Sequence, residues 1–156
     1  MSRAFVKETD DAGEPLPELA ISAQPNFVTP AGLAQIEARV AVLEGELRAA
    51  RAAGDKSLQK RVERDLRYWT QRRASARVVP PAAVAPDVVR FGVRVTLRFG
   101  DGEERTFKLV GEDEADPAGG LVSWAAPLGR ALAGMSPGDE VAVAGRTAEI
   151  VALSPQ

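Results

Sequence analysis

The apolar residues between positions 28 and 79 repeat with the spacing of two helices. Thr29-Pro30 is a typical helix start, because a hydroxyl side chain caps the first turn and proline is tolerated at the first helical position. The apolar residues that follow alternate at steps of three and four, as on the narrow seam of a coiled coil; they are Leu33, Ile36, Val40, Leu43, Leu47 and Ala50. After an interruption at Gly54-Asp55, a second set follows: Leu58, Val62, Leu66 and Trp69. A turn this short requires antiparallel helices, so residues 28–79 are predicted to form a coiled-coil hairpin.

Beyond position 86 the apolar residues recur at every second position, which is typical of β-strands with one buried face. The clearest set is Phe91, Val93, Val95, Leu97 and Phe99, and the glycines at 100 and 102 then predict a hairpin turn. Further strands are predicted at 106–110, 121–124, 140–144 and 148–153, and a short helix at 127–133. The proline-rich residues 80–86 are predicted to be a linker. The predicted fold class is therefore α+β: an N-terminal antiparallel helical hairpin, then a small antiparallel β domain (residues 87–153) with one short helix.

The first 27 residues are predicted to be a flexible arm, because Gly13, Pro15, Pro17 and Pro25 interrupt any helix and no apolar period is present. This start is polar and acidic, and it lacks the apolar run of a signal peptide. The whole chain has no stretch of 18 apolar residues, so no membrane span is expected. These observations predict a cytoplasmic protein without membrane contact.

The chain contains no cysteine and no histidine among its 156 residues. Zinc fingers, cysteine nucleophiles, Ser-His-Asp triads and imidazole acid–base chemistry are therefore excluded. We accordingly expect no catalytic residues, no resident metal or cofactor and no enzyme activity. The net charge is −2, but residues 28–79 carry 11 basic and 6 acidic side chains. The basic residues of the second helix, Arg72 and Arg73 among them, indicate either contact with nucleic acid or an acidic protein, or simply the solvated surface of a long helix.

Four carboxylates lie within five positions in Glu112-Asp113-Glu114-Ala115-Asp116. Metal binding requires oxygens that converge on one point, and this run lacks the alternating spacing and the central glycine of a calcium loop. The run is therefore interpreted as a solvated acidic loop or as a patch that docks onto a partner.

The longer run Val110-Gly111-Glu112-Asp113-Glu114-Ala115-Asp116 resembles the V-G-[DE]-D-E-A-D motif of the bacterial Gre transcript-cleavage and elongation factors, GreA and GreB. At the family's spacing it is followed by Leu121-Val122-Ser123-Trp124 and then by Pro127-Leu128-Gly129-Arg130-Ala131-Leu132. The opening Val28-Thr29-Pro30-Ala31-Gly32-Leu33 likewise resembles the family's V-T-x-x-G-x. The similarity extends over about residues 27–153 and is most specific in the β domain.

The resemblance implies that residues 87–153 have an FKBP-like fold and dock at the rim of the secondary channel of bacterial RNA polymerase, into which the hairpin would reach. The residues that would bind polymerase are Asp113, Glu114 and Asp116 of the acidic run, together with Ser123 and Pro127. We name residues 123–127 the docking loop. The chain is expected to be a monomer and to contact nucleic acid only indirectly, through the elongation complex. In family members that support cleavage, acidic residues at the hairpin tip help to hold a second Mg²⁺ at the polymerase active site.

Two departures from the family pattern concern cleavage. The family's tip reads G-D-L-K-E-N, with carboxylates three residues apart, whereas this tip reads Gly54-Asp55-Lys56-Ser57-Leu58. Asp55 is therefore the single candidate Mg²⁺ ligand at the tip, because Leu58 occupies the position of the second acid. Each helix also lacks roughly eight residues relative to the family, which shortens the reach by about 12 Å. The expected function is a polymerase-binding elongation regulator that stimulates cleavage weakly or not at all.

Three other functions remain open from the sequence. A genuine cleavage factor would use Asp55 as a Mg²⁺ ligand. A regulator of nucleoside diphosphate kinase, a Gre relative with a short coiled coil, would fit the length of the hairpin. A prolyl isomerase is suggested by the FKBP-like interpretation, and residues 134–141 resemble an FKBP segment. Its pocket would need aromatic side chains, most of which the predicted strands place in their own core.

Overall fold

The computed structural model describes residues 15–155. The three–four apolar spacing corresponds to helices, and the alternating spacing corresponds to strands. The N-terminal half contains β1 (Phe27–Val28), α1 (Pro30–Ala53), α2 (Lys56–Ser75) and β2 (Arg77–Val78). The C-terminal half contains β3 (Arg94–Phe99), β4 (Glu104–Val110), β5 (Leu121–Ser123), α3 (Pro127–Leu132), β6 (Glu140–Val143) and β7 (Arg146–Ser154). Two short 3-10 turns, Glu112–Glu114 and Pro117–Gly119, lie between β4 and β5. The predicted α+β class is confirmed; the FKBP-like description stays a prediction.

The ends of the hairpin helices are set by local hydrogen bonds. The Thr29 hydroxyl accepts from the backbone N–H of Gly32 at 2.9 Å and caps α1. At the other end, Gly54 adopts a left-handed conformation with φ 67°, which allows the chain to leave the helix. The Asp55 carboxylate then accepts from the N–H of Leu58 at 2.9 Å and caps α2. The helix start and the turn therefore lie where the sequence predicts them.

The seam between α1 and α2 is buried, as the heptad pattern predicts. From α1 the buried seam residues are Ile36, Val40, Leu43, Leu47 and Ala50. Across from them Val62 is buried, and Leu58, Leu66 and Trp69 are partly buried against the same cluster. The next seam position of α2 is Arg72, whose side chain is only 2% exposed. The solvated-surface interpretation of the basic residues of α2 therefore does not hold for Arg72, because its position three residues after Trp69 places it on the buried face.

The base of the hairpin is joined by a short parallel pairing of β1 with β2, in which Phe27 lies opposite Arg77. Sequence analysis misses this pairing because two residues are too few to show a period.

Residues 1–14 of the predicted arm lie outside the described residues. In the described part, the Glu18 carboxylate accepts from the Arg67 guanidinium, with Nε at 3.1 Å, and Asn26 is buried.

The C-terminal sheet has five strands in the order β5-β4-β3-β7-β6. The pairs β3–β4, β3–β7 and β6–β7 are antiparallel, as predicted. The edge pair is different, because β4 and β5 run parallel, with Leu109 opposite Val122. The acidic run and its 3-10 turns form the connection between these two parallel strands. The sheet is therefore mixed rather than wholly antiparallel.

One face of this sheet holds the core of the β domain. The predicted alternation holds from Val93 onwards, since Val93, Val95, Leu97 and Phe99 are all buried, whereas Phe91 lies in a turn before β3 and is only partly buried. Leu109 of β4, Leu132 of α3 and the following strands complete the cluster, with Val89, Val141, Ala148 and Ile150. Between residues 15 and 155, none of the helices combines the length and the apolar character needed to span a bilayer.

Candidate functional site

The acidic run of the β domain faces the base of the hairpin. Its first three residues form the 3-10 turn Glu112–Glu114, which we call the acidic turn. One oxygen of Asp113 accepts from the Tyr68 hydroxyl at 2.7 Å, and the other accepts from Nε of Arg72 at 2.6 Å. The Asp113 side chain is only 10% exposed. Both donors belong to α2, so this carboxylate joins the β domain to the second helix.

The neighbouring carboxylate joins the β domain to the first helix. Glu114 is buried, and its Oε2 accepts from the Thr29 hydroxyl at 2.6 Å. The same hydroxyl accepts from the N–H of Gly32, so one threonine caps α1 and binds the acidic turn. A Cβ on Gly32 would lie 2.6 Å from Glu114 Oε2, so any larger residue here would displace that carboxylate from its present position beside Thr29. The V-T-x-x-G and D-E motifs therefore describe the two sides of one contact.

Arg72 lies at the centre of this junction. Its Nη2 donates to the Asn26 side-chain oxygen at 2.8 Å and lies 3.6 Å from Glu112 Oε2, a separation too long for a hydrogen bond. In return, the Asn26 amide donates to the Arg72 carbonyl at 2.8 Å. Glu112 is held separately, since its Oε1 accepts from the Ser22 hydroxyl at 2.9 Å. No pattern in the sequence predicts that Arg72, Tyr68 and Asn26 meet the acidic turn.

The structure separates the residues assigned to polymerase binding into two groups. Asp113 and Glu114 are engaged inside the chain, whereas Asp116 and Pro127 are exposed and Ser123 is half-buried. Ser123 ends β5, and its hydroxyl accepts from the N–H of Ala125 at 3.2 Å, which shapes the docking loop. Pro127 opens α3 at the end of that loop. Ser123 and Pro127 are thus brought to one loop, while Asp116 begins the turn that leads into β5.

Trp124 links the docking loop to the base of the hairpin. Its ring meets Phe27 of β1 edge-on, with centroids 5.2 Å apart, and Phe27 also contacts Phe91 at 6.1 Å. The Trp124 indole nitrogen is buried and has no hydrogen-bond partner among residues 15–155. The backbone supports the same contact, because Gly111 leaves room for the Phe27 carbonyl. The docking loop and the acidic turn therefore meet the hairpin at adjacent points.

Asp55, the one carboxylate at the hairpin tip, has a structural role. Gly54 makes the left-handed turn, and Asp55 accepts from the first turn of α2. Leu58 is partly buried in the hairpin cluster, so it fills space between the helices rather than facing a ligand. Among the described residues no three acidic side chains converge in a way that could hold a metal ion.

The junction makes a prediction about Tyr68, the single tyrosine of the chain. Burial, and then the hydrogen bond to Asp113, raise the pKa of its hydroxyl from 10.0 to about 12. Because the folded-state pKa is raised, the corresponding stabilisation is complete below pH 10 and is lost as the pH rises towards 12. We expect the phenolate absorbance of the folded chain to appear with a midpoint near 12, and Asp113→Asn to lower it. Circular dichroism at each pH separates titration from unfolding, and a folded-state midpoint near 10 would contradict the contact.

The family of the chain is shown by its similarity to known proteins. Residues 84–154 match the family model described as transcription elongation factor GreA/GreB, C-terminal domain. The chain is 36% identical over 135 residues to the transcription elongation factor GreB of Neisseria meningitidis serogroup A, covering 74% of this chain and 83% of that protein. It is 38% identical over 117 residues to the transcription elongation factor GreA of Desulfovibrio desulfuricans, covering 71% and 72%. Among solved structures, the GreA factor homolog 1 (Gfh1) of Thermus thermophilus gives a TM-score of 0.41 at 21% identity, over 84% of this chain and 99% of that one.

The fold and the junction define a two-part protein, in which a helical hairpin is fixed to a β domain by an acidic turn. The motifs on both sides of that junction are those expected for the family. The chain belongs to the GreA/GreB family of transcription elongation factors.

Proposed function

We propose that the protein binds bacterial RNA polymerase at the secondary channel through its docking loop, and that it regulates elongation with weak or no stimulation of transcript cleavage. Membership of a family of elongation factors supports polymerase as the partner. The exposed Pro127 and the half-buried Ser123 supply an accessible loop for docking. The protein would act in the cytoplasm as a monomer, since the apolar seam of each helix is already covered by the other helix.

The observation that carries the cleavage part of this proposal is the state of Asp55. A Mg²⁺ ion shared with the polymerase would need a free carboxylate, and preferably two. Asp55 instead caps α2, and the position three residues later is the partly buried Leu58. The helix α1 has 24 residues, so the hairpin extends only about 36 Å at 1.5 Å per residue. We accordingly propose no catalytic activity of its own and no resident cofactor.

The test uses stalled bacterial elongation complexes with labelled RNA, to which the purified protein is added while binding to core polymerase is measured in parallel. We expect binding without endonucleolytic shortening of the RNA. Pro127→Ala should weaken binding about tenfold, or about 1.4 kcal/mol, because we place Pro127 among the minority of interface residues whose truncation costs more than 1 kcal/mol. The control is Pro137→Ala, an exposed proline in the turn before β6. If Pro127→Ala and Pro137→Ala bind polymerase with equal affinity, the docking loop is not the contact surface. If the native chain does not bind polymerase at all, the proposed function is refuted.

A genuine cleavage factor is the second candidate, because Asp55 does lie at the exposed tip. The variant Asp55→Ser separates the two roles of this residue, since serine also caps helices but cannot coordinate Mg²⁺ as a carboxylate does. We expect Asp55→Ser to leave both hairpin stability and the RNA length distribution as in the native chain. If the native protein shortens the RNA and Asp55→Ser does not, the protein is a cleavage factor.

A further inference from the structure

Three separate parts of the chain meet at one buried guanidinium. Arg72 belongs to the last turn of α2, Asn26 precedes β1, and Asp113 belongs to the acidic turn of the β domain. Nε of Arg72 donates to Asp113, and Nη2 donates to Asn26. The Arg72 carbonyl also accepts from the Asn26 amide, so the residue is held through its backbone as well as its side chain.

Because the Arg72 guanidinium is buried, its hydrogen-bond partners must lie at defined positions. The Arg72 side chain is 2% exposed, and a charge removed from water to this extent requires a charged or polar partner for its donors. Arginine presents its donors in a rigid planar fork, so the two hydrogen bonds fix the relative positions of Asp113 and Asn26. A small rotation of the β domain would leave Arg72 without its carboxylate.

The other contacts at the junction are arranged around this one. Tyr68, one turn before Arg72, donates to the second oxygen of the same carboxylate. On the α1 side Thr29 holds Glu114, and beside the docking loop Phe27 packs edge-on against Trp124. A hairpin about 36 Å long amplifies any change at its base, because a 10° tilt would move the tip by about 6 Å.

We propose that Arg72 is a positioning residue that fixes the direction of the helical hairpin relative to the β domain, with Asp113 and Asn26 as its partners. The acidic turn is thus an internal clamp rather than a patch for a partner. In transcription, the clamp would set the direction of the hairpin while the docking loop binds polymerase. This consequence rests on the function proposed above. The positioning itself does not require polymerase.

The experiment uses the full chain, which has no native cysteine to interfere with labelling. Spin labels are attached to Lys56→Cys at the exposed tip and Thr147→Cys on the exposed side of β7, and the distance between them is measured by double electron–electron resonance. We expect one narrow distance distribution in the otherwise native chain. Arg72→Ala should broaden or shift it by several ångströms, and Arg72→Lys, which keeps the charge without the fork, should restore it only in part.

The matched control is Arg73→Ala, which removes the same charge from the adjacent, exposed position and should leave the distance unchanged. Asp113→Asn tests the clamp from the β domain without altering α2, so the proposal stays testable if Arg72→Ala loses its helices by circular dichroism. Native-like distances in both Arg72→Ala and Asp113→Asn would overturn the positioning role, whatever the affinity for polymerase. Shifted distances in a chain that does not bind polymerase would support the positioning role and remove the proposed function.

Discussion

Replacement of Gly129 by alanine is expected to lower the free energy of unfolding by about 3 kcal/mol, although alanine is the better helix former. Gly129 is buried in α3, directly against the chain of the docking loop. A Cβ at this position would overlap the Ser123 carbonyl oxygen and lie 2.9 Å from the Trp124 Cα. These are backbone atoms, so they cannot rotate away as a flexible side chain would. The overlap therefore outweighs the gain of up to about 1 kcal/mol in helix propensity.

The control for this variant is Gly45→Ala, the same substitution inside α1. The nearest atom to a Cβ on Gly45 is the end of the Arg48 side chain at 3.8 Å, an ordinary contact. Here helix propensity alone should act, and the free energy of unfolding should rise by about 0.5–1 kcal/mol. Urea unfolding of both variants measures the two signs in one experiment. A similar gain in stability in both variants would show that α3 does not pack against the docking loop as described, because helix propensity would then act alone at both positions.

The same substitution carries a consequence for binding. Relief of the overlap requires α3 to move away from Ser123 and Trp124, and Pro127 moves with the helix because it is its first residue. Gly129→Ala should therefore also reduce the affinity for polymerase if the docking loop is the contact surface. Gly45→Ala should not, since it lies in the middle of the hairpin.

The parts of the fold that sequence predicts are those in which a local period coincides with burial. The three–four spacing from Ile36 to Ala50 predicts the hairpin seam, and the alternation from Val93 to Phe99 predicts the central strand. The turn at Gly54 is equally local, because a left-handed residue is needed there. In each case the residues that determine the element lie within about one helical turn or two strand positions of one another.

The site is harder to predict, because its contacts join residues far apart in the chain. Asp113 meets Tyr68 and Arg72 across 45 and 41 positions, and Glu114 meets Thr29 across 85. Within the acidic run itself every neighbouring charge has the same sign, which favours the interpretation of a solvated loop. One signal was present: the three-residue step from Trp69 places Arg72 on the seam, and a cation there needs an acidic partner from elsewhere.

The strongest consequence of that partnership concerns Asp113. Asp113→Ala is expected to lower the free energy of unfolding by about 3 kcal/mol, because it leaves Arg72 buried without its carboxylate and Tyr68 without its acceptor. Removal of one member of a buried ion pair typically costs about 3–5 kcal/mol. The lower end applies here, since Glu112 Oε2 forms an ion pair with Arg72 Nη2 at 3.6 Å, has no hydrogen-bond partner among the described residues and can compensate in part.

Asp116→Ala is the matched control, because it removes a carboxylate from the same acidic run at an exposed position. Its effect on stability should stay within about 0.5 kcal/mol, as is usual for surface substitutions. For each variant, the urea concentration at the midpoint of the first unfolding transition is measured. This midpoint distinguishes a carboxylate that holds the two domains together from one that only binds a partner. If Asp113 served mainly to bind polymerase, both variants would unfold as the native chain does and would differ from it only in affinity. A selective loss of stability in Asp113→Ala would instead show that Asp113 serves to hold the two domains together, which leaves Asp116 and the docking loop as the surface available to a partner.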